Sequence, residues 1–160
     1  MSGLEVERKW LVSDAGTLPA EVLALSADEI RQGYLVVAPD GSEARVRNRA
    51  GRCTLTVKSG QGLIRREVET AISAEQFEQL WPATEGARIE KWRRLTAGEA
   101  GLTIEVDVYM GALAGLVVAE VEFDDPRDAE SFVAPYWFGT EVTADDRYKN
   151  RNLAVNGRPA

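Results

Sequence analysis

Apolar and charged residues alternate through eight segments of this chain, roughly 3–12, 29–38, 42–50, 52–59, 62–71, 86–96, 101–110 and 116–123. In an extended strand successive side chains point to opposite faces, so such alternation predicts eight β-strands, each with an apolar and a charged face. The separators carry turn chemistry: Pro39-Asp40-Gly41-Ser42, Ala50-Gly51 and Ser59-Gly60-Gln61-Gly62. Links this short join antiparallel neighbours, because a parallel pair needs a crossover of a dozen or more residues.

Helices are predicted to be few and peripheral. Ser73 with Gln76 makes a capping box that puts Phe77, Leu80 and Trp81 on one face before Pro82 stops the helix. Asp125 followed by Pro126 starts a second, with Phe132 and Val133 placed for burial. Thr143 with Asp146 begins a third, running through Arg147, Tyr148 and Lys149 to about Ala154. Within the connection 13–28 a short helix is expected near Pro19 to Leu25. No linker or composition break divides the chain, so residues 1–160 form a single domain of mainly β, α+β class.

On the charged faces the strands concentrate one sign of charge. A valine separates two carboxylates at Glu5/Glu7, Glu67/Glu69, Glu105/Asp107 and Glu120/Glu122, while Arg45/Arg47 and Lys91/Arg93 repeat the spacing with cations. Residues two apart share a face, which sets like charges about 7 Å apart. A solvated sheet face is the ordinary meaning of charged alternation, and Arg8, Arg66, Glu90 and Arg94 on the other face must still meet water. The competing reading is an enclosed site, in which bound ions of opposite charge relieve the repulsion. An eight-stranded antiparallel sheet closed on itself holds about one small ligand, and this lining would select a compact polyanion with divalent cations.

The totals narrow the choice of partner. A net charge of −7 argues against general nucleic-acid binding or attachment to an anionic membrane, so any phosphate site is local. The absence of histidine removes the commonest zinc ligand and the commonest general base, leaving a metal to be held by oxygen. Mg²⁺ or Mn²⁺ suits such carboxylates, and Mg²⁺ characteristically bridges protein carboxylates to substrate phosphates. The single cysteine, Cys53, cannot form an internal disulfide. With no membrane-length apolar run and no signal-peptide pattern, a cytoplasmic location is expected. An apolar face not fully covered by three short helices is compatible with a homodimer.

The order of these motifs resembles the triphosphate tunnel metalloenzymes, the CYTH superfamily. Their N-terminal Glu-x-Glu-x-Lys stands here as Glu5-Val6-Glu7-Arg8-Lys9, followed by Arg45-x-Arg47, Lys58, Glu67-x-Glu69, Lys91-x-Arg93, Glu105-x-Asp107, Glu120-x-Glu122 and Lys149. The resemblance implies a closed eight-stranded antiparallel β-barrel, a tunnel, acting on triphosphates with Mg²⁺ or Mn²⁺. It implies Glu5, Glu7, Glu120 and Glu122 as ligands of a metal bridging the phosphates. Glu67, Glu69, Glu105 and Asp107 become candidates for a second metal or for positioning water. Lys9, Arg45, Arg47, Lys58, Lys91, Arg93 and Lys149 become the phosphate clamp, with Arg147 a further candidate.

The chemistry expected is in-line attack by water on a terminal phosphorus, catalysed by positioning and charge neutralisation. Tyr34 is the candidate partner of Lys9 for protonating the leaving oxygen or orienting water, with packing as its alternative role. Because no long insertion is available to grip an organic group, hydrolysis of inorganic tripolyphosphate to pyrophosphate and phosphate is the first expectation. Class IV adenylate cyclase, thiamine or nucleoside triphosphatase, and a non-catalytic polyphosphate-binding module are the alternatives. Trp10, Trp81, Trp92 and Trp137 could stack on a base, but packing is the preferred reading for them.

Overall fold

Period-two alternation becomes eight strands in the computed structural model, which describes residues 6–60 and 66–160. They are β1 (Val6–Val12), β2 (Asp28–Val37), β3 (Glu43–Arg49), β4 (Arg52–Ser59), β5 (Arg66–Ile72), β6 (Arg88–Ala97), β7 (Thr103–Tyr109) and β8 (Val117–Phe123). All pair antiparallel in one sheet of order β1-β8-β7-β6-β2-β3-β4-β5. Two meanders, β2 to β5 and β6 to β8, are joined by the β2–β6 pairing, and β1 adds to β8. The β3–β4 hairpin turns on Ala50 (φ 49°) and Gly51 (φ 89°). Two positive φ values in a two-residue loop match the right-handed twist of the strands it joins, at some strain for the alanine.

Among the described residues no strand pairing joins β1 to β5, so hydrogen bonds do not close the sheet. The sheet nonetheless curls until residues of both edge strands line one cavity.

Among the described residues four α-helices accompany the sheet: α1 (Ala20–Leu23), α2 (Ala74–Leu80), α3 (Pro126–Ser131) and α4 (Asn150–Asn156). The expected capping box at Ser73 forms, with Ser73 accepting from the Gln76 amide and Gln76 accepting from the Ser73 amide. Asp125 caps α3 as expected. The third expected helix starts later than Thr143. That hydroxyl accepts from the Lys9 amide and donates to Glu141, so it is not free to cap; a single turn at Asp146–Tyr148 intervenes and α4 begins after Lys149. Val133 is 82% exposed rather than buried, while its neighbour Phe132 packs inward. No helix among the described residues is long and apolar enough to cross a membrane.

Three apolar clusters hold this arrangement. On the outer face of β1, β7 and β8, Trp10, Val106, Ala119, Val121 and Phe123 pack beneath α1, α3 and the Phe132–Phe138 segment. On the outer face of β2 to β4, Val46 and Cys53 pack beneath Phe77 of α2. The third cluster lies inside the curl: Tyr34, Ile89, Tyr109 and Val118 meet Leu153 of α4 and plug one end of the cavity. Burial of this area supplies most of the driving force for folding.

Candidate active site

Inside the curl is a cavity of about 440 Å³ whose lining is almost wholly charged. Strand parity puts it there, because the residues that alternate with the outer cores face inward. Along one wall, β1 and β8 pair Glu7 with Glu122 and Lys9 with Glu120. Carboxylate oxygens of Glu7, Glu120 and Glu122 lie within 4.8 Å of one another. Burial lifts the Glu120 carboxyl to about 7, and a hydrogen bond with Glu7 together with the charge of Glu7 adds to the effect. Three carboxylates this close, one of them buried and raised, mark a place that a cation would relieve. Lys9 Nζ stands 3.8 Å from Glu120 and 3.9 Å from Glu7, and donates to the carbonyl of Tyr148 at 3.1 Å.

The opposite wall is cationic. Arg45, Arg47 and Arg49 project from β3, Lys58 from β4 and Arg93 from β6. Arg47 Nε donates to Gln32 Oε1 at 2.7 Å, and Gln32 Nε2 donates to the Tyr34 hydroxyl at 2.8 Å. Burial pulls the Arg47 guanidinium down to about 10, helped by repulsion from Arg45 and Arg93. Arg45 Nε is buried without a hydrogen-bond partner among the described residues. Crowded cations and an orphaned buried donor are the complement of a polyanion.

Beneath the cationic wall lies a buried ion-pair cluster. Asp107 accepts from Lys91 at 2.7 Å and from Arg93 at 2.7 and 2.8 Å, engaging both of its oxygens. Burial alone would raise this carboxyl, yet Lys91 and Arg93 hold it well below the usual range. Burial draws the Lys91 ammonium down to about 8 while Asp107 opposes that shift. Glu105 sits higher, 2.9 Å from Arg93, with its carboxyl raised by burial.

The cavity thus brings together Glu7, Lys9, Tyr34, Arg45, Arg47, Lys58, Glu67, Arg93, Glu105, Glu120, Glu122 and Lys149 of the expected site. Lys91 and Asp107 are buried behind the wall, and Glu69 is turned to Thr56 Oγ1 at 3.1 Å rather than into the Glu7 cluster. Glu5 lies outside the described residues. Arg147 is held by Asp145 and is not on the cavity wall. Tyr34 is 3% exposed and also belongs to the apolar plug, so both roles considered for it have a structural basis. None of the four tryptophans lines the cavity; Trp10 and Trp137 belong to the outer core and Trp81 stacks under Arg31 and Arg88. Glu43, Asn150 and Arg151 line it unforeseen. Glu43 shares the parity of Arg45 within the segment 42–50, so following that face one step back from Arg45 would have found it, whereas the other two sit at a helix start with no periodic signal.

A curled antiparallel sheet with carboxylates on one wall and arginines on the other defines the triphosphate-tunnel class of protein. Comparison with known proteins agrees. The chain is 45% identical over 152 residues to an inorganic triphosphatase of Nitrosomonas europaea, covering 95% of this chain and 97% of that protein. It is 40% identical over 158 residues to an inorganic triphosphatase of Acetivibrio thermocellus, covering 96% and 95%. The solved structure of the inorganic triphosphatase NE1496 superimposes with a TM-score of 0.76 at 44% identity, covering 94% of each chain. The fold extends to HpAC1 from Hippeastrum, with a TM-score of 0.61 at 15% identity over 79% of this chain and 82% of that one. No family model matches the chain. The chain belongs to the inorganic triphosphatases of the CYTH superfamily.

Proposed function

We propose that the protein hydrolyses inorganic tripolyphosphate to pyrophosphate and phosphate with Mg²⁺ or Mn²⁺ as cofactor. The observation that carries this reading is the opposition of the Glu7–Glu120–Glu122 cluster to the crowded Arg45 and Arg47 across a cavity in which, among the described residues, Tyr34 is the one aromatic lining group and is itself buried. Three carboxylates within 4.8 Å form an all-oxygen donor set of the kind hard divalent cations prefer. When bound there, the metal supplies Lewis-acid neutralisation of phosphate oxygens. Glu67 and Glu105 remain candidates for orienting the attacking water.

Arg45, Arg47, Lys58, Arg93 and Lys149 grip the non-bridging oxygens and hold the chain in line for attack. The buried Arg45 Nε acquires its missing acceptor from the substrate. Asp107 aims Arg93 and holds Lys91 behind the wall. Water oxygen bonds to the terminal phosphorus, giving its proton to the carboxylate of Glu67 or Glu105 that orients it, as the bridging P–O bond breaks; the departing pyrophosphate oxygen takes a proton from Lys9 or from Tyr34, whose hydroxyl accepts from Gln32 and keeps its own proton to give. Closure into a complete tunnel belongs to this reading, because Glu67 on β5 and Lys9 on β1 face one polyanion from opposite edges of the open sheet. A cytoplasmic location and the absence of general nucleic-acid binding are part of it as well, supported by one unpaired cysteine and a net charge of −7. Exposed Val57 and Val68 leave room for a homodimer contact.

Phosphate release from tripolyphosphate, ATP and thiamine triphosphate, with EDTA, Mg²⁺ or Mn²⁺, tests the proposal. Metal-dependent release chiefly from tripolyphosphate is expected. Cyclic AMP from ATP would reassign the protein as a cyclase, and inertness throughout would make it a binding module.

A further inference from the structure

Arg8 stands between two cavity residues, Glu7 and Lys9, yet its side chain lies on the opposite face of β1 over the Trp10 ring. There it meets the segment 139–143. Two parallel bonds of 2.8 Å run from Arg8 Nε and Nη2 to the two oxygens of Glu141, and Nη1 donates to the carbonyls of Ala129 and Phe132. An exposed ion pair contributes little by itself, but this one is forked, partly buried and joined to backbone acceptors.

What the pair holds is the free edge of β1. Gly139 N donates to Leu11 O, Leu11 N to Thr140 O and Val142 N to Lys9 O, so the segment runs antiparallel along the edge that β5 leaves unpaired. The fit is close. A Cβ on Gly139 would stand 2.7 Å from the Leu11 carbonyl oxygen, too near for any side chain. Thr143 completes the join by accepting from the Lys9 amide and donating to Glu141. A few residues on, Tyr148 offers its carbonyl to Lys9 Nζ and Lys149 reaches the cavity wall.

We infer that Arg8 and Glu141 are positioning residues: their clasp seats the 139–143 strap on β1 and thereby sets Lys9 and Lys149 for gripping the substrate phosphates. This rests on the tripolyphosphatase reading of the cavity. The clasp acts through the strap, so loosening it lowers affinity while leaving the carboxylate cluster intact.

The test combines steady-state kinetics on tripolyphosphate with amide hydrogen exchange. Glu141→Ala should raise KM by about tenfold, the loss expected of one charge-assisted pair, with kcat changed much less. Arg8→Ala and the Arg8→Ala/Glu141→Ala double variant should have the same KM within about twofold, since both remove one interaction. In a Lys149→Ala background, Glu141→Ala should add well under its full tenfold to KM, since only the placement of Lys9 is then left to lose. Exchange at the Leu11 and Val142 amides should accelerate in Glu141→Ala and also in Gly139→Ala, which breaks the strap without touching the clasp. Glu141→Gln keeps the shape should Arg8→Ala fail to fold. An unchanged KM, an additive effect in the Lys149→Ala background, or unchanged amide exchange would overturn the inference. Wild-type protein inert toward tripolyphosphate would instead overturn the proposed function, and amide exchange would still decide whether the clasp seats the strap.

Discussion

The two walls of the cavity are built differently. The carboxylate wall of β1, β7 and β8 is backed by a continuous apolar layer in which Val106, Ala119 and Val121 are completely buried. On the facing side the backing is uneven: Val46, between Arg45 and Arg47, is completely buried beneath Phe77, but β5 is exposed along most of its length, and Val57 and Val68 show 43% and 51% of their surface to solvent. Cation ligation needs oxygens held at fixed separation, which a rigid backing provides. A phosphate grip can be made by long cationic side chains on a more lightly supported sheet, with charge rather than packing selecting the ligand. One continuous sheet thus combines a stiff acidic half with a more adaptable basic half.

The contrast is broken most severely on the acidic side. Glu120→Gln should reduce tripolyphosphate turnover by about a thousandfold, because it removes a carboxylate of the proposed metal site, where the effect is largest in the transition state, while Glu69→Gln on the opposite edge should cost only about threefold. Thermal unfolding of both variants alongside the assay checks that the fold survives. Asp107→Asn should act on stability instead, costing about 3 kcal/mol by chemical denaturation, because it leaves buried Lys91 and Arg93 without their shared anion. On the basic side, Arg45→Ala should raise KM about thirtyfold with the fold unaffected, as expected for loss of a charge-assisted phosphate contact.

The smallest effect is a pH signature of the acidic wall. The Glu120 carboxyl is raised from 4.5 to about 7 in the folded protein, so the stability it contributes is fully present below 4.5 and is lost as pH rises through 7. Without metal, Tm should fall by a few degrees between pH 5 and pH 8; with millimolar Mn²⁺ the fall should vanish, because a cation replaces the proton on the Glu120 carboxyl. Differential scanning fluorimetry across that range measures both.

Much of this was legible in the sequence because period-two alternation records which face each residue takes. Strand existence, the shared face of each charged pair, and the caps at Ser73 and Asp125 all follow from local rules, whereas the inward turn of that face was carried by the order of the motifs. Depth along a strand does not. Glu105 and Asp107 form the same motif, yet Asp107 sits one step nearer the apolar plug, where Lys91 and Arg93 reach both its oxygens. Thr143 looked like a helix cap because its competing partners, Lys9 and Glu141, are distant or on the far side of a turn. The strap on β1 was hidden for the same reason: segment 139–142 has no alternation of its own and is ordered by the edge it covers.

The most direct test is anomalous scattering from crystals grown with Mn²⁺ and tripolyphosphate. A manganese peak among Glu7, Glu120 and Glu122, with phosphate density against Arg45 and Arg47, is the predicted result. Manganese bound instead at Glu67 and Glu69, or phosphate without metal at the Glu7 cluster, would contradict the division of the cavity into a metal wall and a phosphate wall.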